Sequence, residues 1–506
     1  MLLDKPRLVR VLLFAAVAGS TVGPGDVAWA TTPATTLTAA GPSASAVRAW
    51  SGDAVAEQRR ANLARLLETV GRSLPREATD AETEREFATY VGRLAGAPVT
   101  DALRLREAAA VLAAPTSPDP LAARLLQLRL VEALGGWREV ETRTSSLPAP
   151  AATPSPAELM VVAFVHGEQE ARARLPVPAP AVARPEPVEA SLRARLTQSG
   201  DLRDGETLAT GVRRFQARHG LAADGVVGAR TLAALNAPVA SQIRQLELNL
   251  ARARDDQLRR RAPRYVEVNI PAFELRLVEN GEVVLRSRVI VGDADTPTPV
   301  FDDQIRFIEL NPSWYVPASI VPELVRQSGG DPGYFERNNF IVRGGPGTDQ
   351  PLRLVQRPGP GNALGRMKFL FPNHHAVYLH DTSQPRLFGR AERSLSHGCV
   401  RVEKPMELAV ALLARDGWDE ARIAQALARG KTQRIELSEP VPVLLEYRTA
   451  FLDETGILQF RPDIYGHDAA AIGPFADAGR SVAPPAMVRP QPAPRVAAVE
   501  EMSARP

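Results

Sequence analysis

The spacing of apolar residues divides the chain into a helical first half and a second half whose period is two. Leu63, Leu66, Leu67 and Val70 recur at helical spacing, as do Leu105, Ala108, Ala109 and Leu112. Leu121, Leu125, Leu128, Val131 and Leu134 form a further stripe. Such stripes predict helices that bury one face, and residues 47–140 read as three to five helices packed together. A smaller helical unit follows over 189–240. There Val212 and Phe215 share a face, Gly220 stops a helix, Asp224-Gly225 makes a turn, and Gly228 breaks the chain before Thr231, Leu232 and Leu235. Ile243, Leu246 and Leu250 then stripe a connecting helix over 241–263.

At Tyr265 the period changes. Val266, Val268 and Ile270 alternate with polar residues, as do Phe273, Leu275 and Leu277, and Asn280-Gly281 marks a hairpin. Strands are expected at 283–285, 289–291, 304–309, 352–355, 377–380 and 443–450, the last pairing with 458–460. Helices are expected at 406–415 and 420–428. The region 264–465 is therefore mainly β, in a multidomain α+β chain. Gly329-Gly330, Pro332-Gly333 and Gly344-Gly345 punctuate 319–353, which fits an insertion with turns. Residues 31–46 and 141–188 are linkers by composition, with 158–175 ambiguous, and 466–506 reads as a disordered tail.

Composition adds two constraints. Lys and Arg number 61 against 58 Asp and Glu, scattered without a basic stripe, which gives no support to nucleic-acid binding. Lys5, Arg7 and Arg10, the apolar run 11–18 and Ala28-Trp29-Ala30 have the layout of a secretory signal cleaved after about Ala30. The run is too short for a retained membrane span. The expected location is therefore an exported, periplasmic one.

Cys399 is the sole cysteine among 506 residues, so it has no intramolecular disulfide partner. Histidines at 380 and 397 accompany it in the chain. A thiolate is a strong nucleophile and an imidazole takes its proton near neutral pH, which points to acyl transfer. In an extended segment His397 and Cys399 would project to one face, with Gly398 leaving the backbone open to a carbonyl. Arg401 and Ser396, with the aromatic Trp314 and Tyr334, are candidates for contact with substrate. Ser396 would act through hydrogen bonding, since no Ser/His/Asp ordering makes it a nucleophile. The absence of an HExxH motif disfavours a zinc protease, and neither metal nor organic cofactor is required.

The run Tyr378-Leu379-His380-Asp381-Thr382, followed by Ser396-His397-Gly398-Cys399-Val400-Arg401, resembles the YkuD-type L,D-transpeptidases that crosslink bacterial peptidoglycan. Thr298-Pro299-Val300-Phe301, Asn311-Pro312, Trp314, Val316-Pro317, Gly359-Pro360-Gly361-Asn362 and Lys368-Phe369 extend the likeness to the large exported branch. Phe215-Gln216, Gly220-Leu221, Asp224-Gly225 and Thr231-Leu232 resemble the small helical peptidoglycan-binding module of wall enzymes. The helical 47–140 corresponds only loosely to that branch's scaffold, by position and by Gly136-Trp137.

The resemblance implies Cys399 as nucleophile and His380 as general base, with its second ring nitrogen held by a backbone carbonyl from Asp381 or a neighbour. Backbone N–H groups at Gly398 and Cys399 would stabilise the oxyanion, and His397 would orient the loop, assist there or position the amine. It also implies a capping subdomain at 319–353 and tetrapeptide stems as donor and acceptor, joined in a 3–3 crosslink. The N-terminal helices would brace the catalytic domain or recruit partners in wall synthesis. Other readings are an L,D-carboxypeptidase, an acyl transferase or hydrolase acting on a wall-linked protein, and a non-catalytic wall-binding protein.

Overall fold

Four helices carry the N-terminal stripes: α1 (Ala54–Glu68), α2 (Asp80–Ala95), α3 (Ala102–Val111) and α4 (Pro120–Ala133). Each starts on a side chain that satisfies an orphan N–H. Asp53, Asp101 and Asp119 cap α1, α3 and α4, and Thr79 with Glu82 forms a capping box on α2. The computed structural model describes residues 50, 53–115, 117, 119–144, 185–259, 262–345, 347 and 349–472. The expected export signal, the linker 31–46, the segment 158–175 and most of the tail lie outside these residues.

The linker reading of 141–188 is corrected at both edges. β1 (Thr142–Thr144) and β2 (Pro185–Pro187) pair antiparallel, so the chain leaves and returns at one base. The small helical unit follows as α5 (Glu189–Gln198), α6 (Leu208–Arg218) and α7 (Ala229–Leu235), around Leu192, Leu196, Val212, Phe215 and Leu235. Gln216 is buried and its amide donates to Asp224, the Val226 carbonyl and Thr231, which fixes the turn between α6 and α7.

The connecting helix α8 (Val239–Arg259) binds the parts together. Its Ile243, Leu246 and Leu250 join the scaffold core, which also takes Ala450 and Phe460 from the far end of the chain. Gln245 donates to the carbonyls of Thr449 and Arg461, Asn249 to the Thr449 hydroxyl, and Arg252 pairs with Asp468 at 2.6 Å. The small unit is seated on the same surface. His219 stacks on Phe215 and on Phe460, and the Arg461 guanidinium donates to the Arg218 carbonyl at 3.0 Å.

The catalytic region begins with β3 (Arg264–Asn269), β4 (Glu274–Glu279), β5 (Glu282–Gly292) and β6 (Phe301–Leu310). β5 is one strand where the sequence suggested two. The chain then makes a cap: β7 (Trp314–Tyr315), α9 (Val321–Gln327), α10 (Tyr334–Arg337), β8 (Phe340–Arg343) and β9 (Arg353–Gln356). β7, β9 and β8 form their own sheet over a separate small core, so the insertion is a folded subdomain slightly wider than 319–353. Next come β10 (Met367–Leu370), β11 (Leu379–His380), β12 (Ser394–Ser396), β13 (Val400–Val402), α11 (Pro405–Leu413), α12 (Glu420–Ala428) and β14 (Gln433–Glu446).

These strands close a ring in the order β5-β13-β11-β10-β6-β14-β3-β4 and back to β5, with β12 added beside β5. Val266, Val268, Leu275, Ile308, Phe369, Leu379, Val400 and Val443 fill the core. The expected strand over 443–450 is corrected. β14 starts ten residues earlier and ends at Glu446, bulging between Glu436 and Val441, where Pro440 offers no N–H to the ladder. A separate hairpin of β15 (Ala450–Leu452) and β16 (Leu458–Phe460) follows. The tail begins later than expected, because α13 (His467–Ile472) is anchored through buried Asp468, which accepts from Thr449 and Arg252.

Candidate active site

Strand register assembles the site. β11 runs parallel to β13, with Leu379 opposite Val400 and His380 opposite Arg401, while Lys368 of β10 lies opposite His380. Side chains alternate across a sheet, so Lys368, His380 and Arg401 share one face. Phe369, Leu379, Val400 and Val402 turn the other way into the core. Tyr378 precedes β11 on the site face, and its carbonyl accepts from the Val400 N–H at 3.1 Å.

Cys399, the residue before β13, is half-buried. Burial pushes its thiol pKa up, and the Tyr378 backbone and hydroxyl, then the Lys368 and Arg401 cations, act against that rise. Lys368 holds its ammonium 3.9 Å over the Tyr378 ring. Among the described residues neither Lys368 nor Arg401 has a carboxylate in ion-pair contact, while Glu309 stands opposite Lys368 on β6 and acts on its charge.

His380 is 5% exposed, and its Nδ1 lies at hydrogen-bond distance from the Asp381 carbonyl. A carbonyl only accepts, so Nδ1 carries the hydrogen of that bond. Burial and the Arg401 charge depress the imidazole pKa to about 3, against the opposing backbone bonds to Asp381 and Leu364. The ring is therefore neutral at physiological pH. It makes no hydrogen bond to Cys399 in this structure. The Asp381 carboxylate accepts from the Arg366 N–H at 2.7 Å and from Thr382, and it lies against Gly365 so closely that a Cβ there would meet it at 2.4 Å.

The extended geometry expected for 397–399 is corrected. These residues form a bend in which Gly398 has φ +101°, a conformation L side chains rarely adopt. Gly398 is buried, and its carbonyl accepts from Thr298 at 2.8 Å. Ser396 is also buried, and its hydroxyl donates to the Cys399 carbonyl at 2.6 Å. That places Ser396 beneath the loop as a brace, a hydrogen-bonding part. Among the described residues, the N–H groups of Gly398 and Cys399 have no protein acceptor.

His397 projects outward, and its Nε2 lies 2.8 Å from a Glu323 carboxylate oxygen on α9 of the cap. The other Glu323 oxygen accepts from Gln327 at 3.0 Å. Trp314 and Tyr334 pack within the cap, Trp314 beside Phe340 and Tyr334 edge-on to Phe335. Sequence reasoning missed the parts played by Thr298, Glu323, Lys368 and Tyr378. Three of these stand inside recognisable motifs, and an alternation count along β10 and β11 would have put Lys368 and Tyr378 beside His380. Glu323 carries no signal of its own. Among the described residues no group of three or more His, Cys, Asp or Glu is placed to hold a metal ion.

Residues 263–423 match the YkuD family, described as the L,D-transpeptidase catalytic domain, and residues 191–235 match the family described as "Putative peptidoglycan binding domain". A Haemophilus influenzae protein described as "Putative L,D-transpeptidase" is 38% identical over 216 residues, covering 40% of this chain and 44% of the relative. The chain thus spans less than half the length of that curated relative. An L,D-transpeptidase structure from Mycobacterium smegmatis is 13% identical, covering 37% of this chain and 59% of its own, with a TM-score of 0.19. One from Stackebrandtia nassauensis is 15% identical, covering 51% and 90%, also with a TM-score of 0.19. Such scores are too low to speak for a shared overall architecture. By its family matches and its homology, the chain carries a YkuD-type L,D-transpeptidase catalytic domain, preceded by a small helical domain of the peptidoglycan-binding family.

Proposed function

We propose that this protein is an exported, periplasmic L,D-transpeptidase that forms 3–3 peptidoglycan crosslinks through a thioester on Cys399. The observation that carries the reading is the convergence of a lone thiol, a neutral buried imidazole and two cations without a carboxylate in ion-pair contact.

Nε2 of His380 accepts the thiol proton as sulfur attacks the carbonyl of the third residue of a donor tetrapeptide. The Gly398 and Cys399 N–H groups receive the developing oxyanion, each such donor being worth about 3 kcal/mol. Collapse expels D-Ala, whose amine takes the proton from His380. Arg401 and Lys368 attract the stem carboxylates. The side-chain amine of a second stem then displaces Cys399 from the thioester. The small helical domain holds the enzyme against the wall.

Mass spectrometry of products from purified disaccharide-tetrapeptides, with Cys399→Ala in parallel, tests the reading. Dimers linked between two third-position diamino acids, absent with the variant, are expected. Tripeptide monomers alone would make the enzyme an L,D-carboxypeptidase. No turnover would leave an acyl transferase or hydrolase on a wall-linked protein, or a wall-binding structural protein.

A further inference from the structure

The two histidines of the site live in different surroundings. His380 is buried under the strands, whereas His397 stands at the outer rim of the catalytic bend, two residues from the nucleophile. On the proposed thioester chemistry the acceptor amine arrives from solvent, and His397 is the exposed side chain of the bend. The Glu323 carboxylate only accepts, so Nε2 of His397 carries the hydrogen of this bond and Nδ1 is the ring nitrogen not engaged by Glu323. Glu323 is itself oriented by Gln327 one turn along α9. A carboxylate holding an imidazole by one nitrogen while the other handles a proton is the orienting half of a catalytic triad.

We infer that Glu323 is a positioning residue that holds His397 as proton acceptor for the incoming amine, so that the cap supplies part of the transfer half-reaction. The inference rests on the thioester chemistry proposed above. The acceptor amine, entering as the free base, forms its C–N bond to the thioester carbonyl carbon. Its proton passes to Nδ1 of His397, and Glu323 offsets the charge on the ring. The tetrahedral adduct collapses with cleavage of the C–S bond, leaving the new amide and the Cys399 thiolate. The imidazolium then returns its proton to that sulfur, directly or through solvent. His380, buried beneath the strands, has a different task in the first half as the base for Cys399.

Glu323→Ala, Glu323→Gln and Glu323→Asp, compared in the full chain, separate the two halves. Thioester formation is followed by intact mass with tetrapeptide donor alone, and transfer by dimer yield once acceptor stems are added. In the Ala and Gln variants transfer should fall about 100-fold, while acylation falls by less than about threefold and the thioester accumulates. The Asp variant, which keeps a carboxylate, should recover most of the transfer. Adding His397→Asn to Glu323→Ala should cost little more, since both changes remove one unit. Wild-type transfer in Glu323→Ala would overturn the inference, and so would acylation and transfer falling together in all three variants. Failure of the wild-type protein to form a thioester would instead defeat the proposed function on which the inference stands.

Discussion

The barrel and the cap present their functional groups on very different foundations. On the barrel, His380 and Arg401 occupy neighbouring strands whose opposite face is packed with Phe369, Leu379, Val400 and Val402. The cap buries Val321, Leu324, Phe340 and Leu354 and reaches the catalytic bend through the Glu323–His397 hydrogen bond. A group set in a dense core keeps its geometry at no further cost during the reaction, whereas one carried by a small satellite core depends on that core's closure. On the proposed reaction, acylation would belong to the barrel, and the step that admits a second substrate would be exposed to the cap.

Removing the nucleophile is the most severe way to probe the barrel side. Cys399→Ala should abolish thioester formation, with activity down about 10,000-fold or more, and should remove the intact-mass adduct that a carbapenem leaves on the wild-type thiol. Next in size, His380→Gln should slow acylation by about 100- to 10,000-fold, read as single-turnover D-Ala release, with near-ultraviolet dichroism confirming the barrel.

The titration of the thiol sharpens the contrast further. Because burial raises the Cys399 pKa, the thiolate fraction, and with it the rate of alkylation by iodoacetamide, should climb with pH through a midpoint above the ordinary thiol range. His380, at about 3, should contribute no inflection between about pH 5 and 8. Lys368→Met withdraws a cation that favours the thiolate, so the midpoint should move up, and Lys368→Arg should bring it back. An unmoved midpoint would show that Lys368 supports Tyr378 by packing alone.

The smallest effect on the barrel should come from Leu354→Ala. This opens a cavity in the cap core at a cost of about 2–4 kcal/mol, so hydrogen exchange should quicken in α9 while β6 and β14 stay protected. Dimer yield should drop more than thioester formation. Equal loss of both would erase the distinction between the two regions.

What the sequence revealed follows the reach of each interaction. The motif around Cys399 and His380 could be read because its chemistry is dense along the chain, and the change of period at Tyr265 marked the barrel because alternation is a local property. Three features escaped for physical reasons. The bend at Gly398 is a backbone choice that a short Ser-His-Gly-Cys string leaves open between extended and turned forms. The early half of β14 was hidden by Pro440, which falls in the bulge, and by Pro442, which pairs in register opposite Gln304. Glu323 meets His397 across 74 positions, and no spacing rule operates over that distance.

The seating of the small helical domain fixes one further property. His219 against Phe460, Arg461 on the Arg218 carbonyl and the run of α8 side chains onto Thr449 leave that domain little freedom to swing relative to the barrel. A flexible tether would let the thiol search a sphere around its anchor. On the proposed function, a clamped one would work as a gauge: whatever strand of wall the domain gripped, Cys399 would sample stems at one separation and one angle, and the pattern of bonds it left would carry the dimensions of the protein.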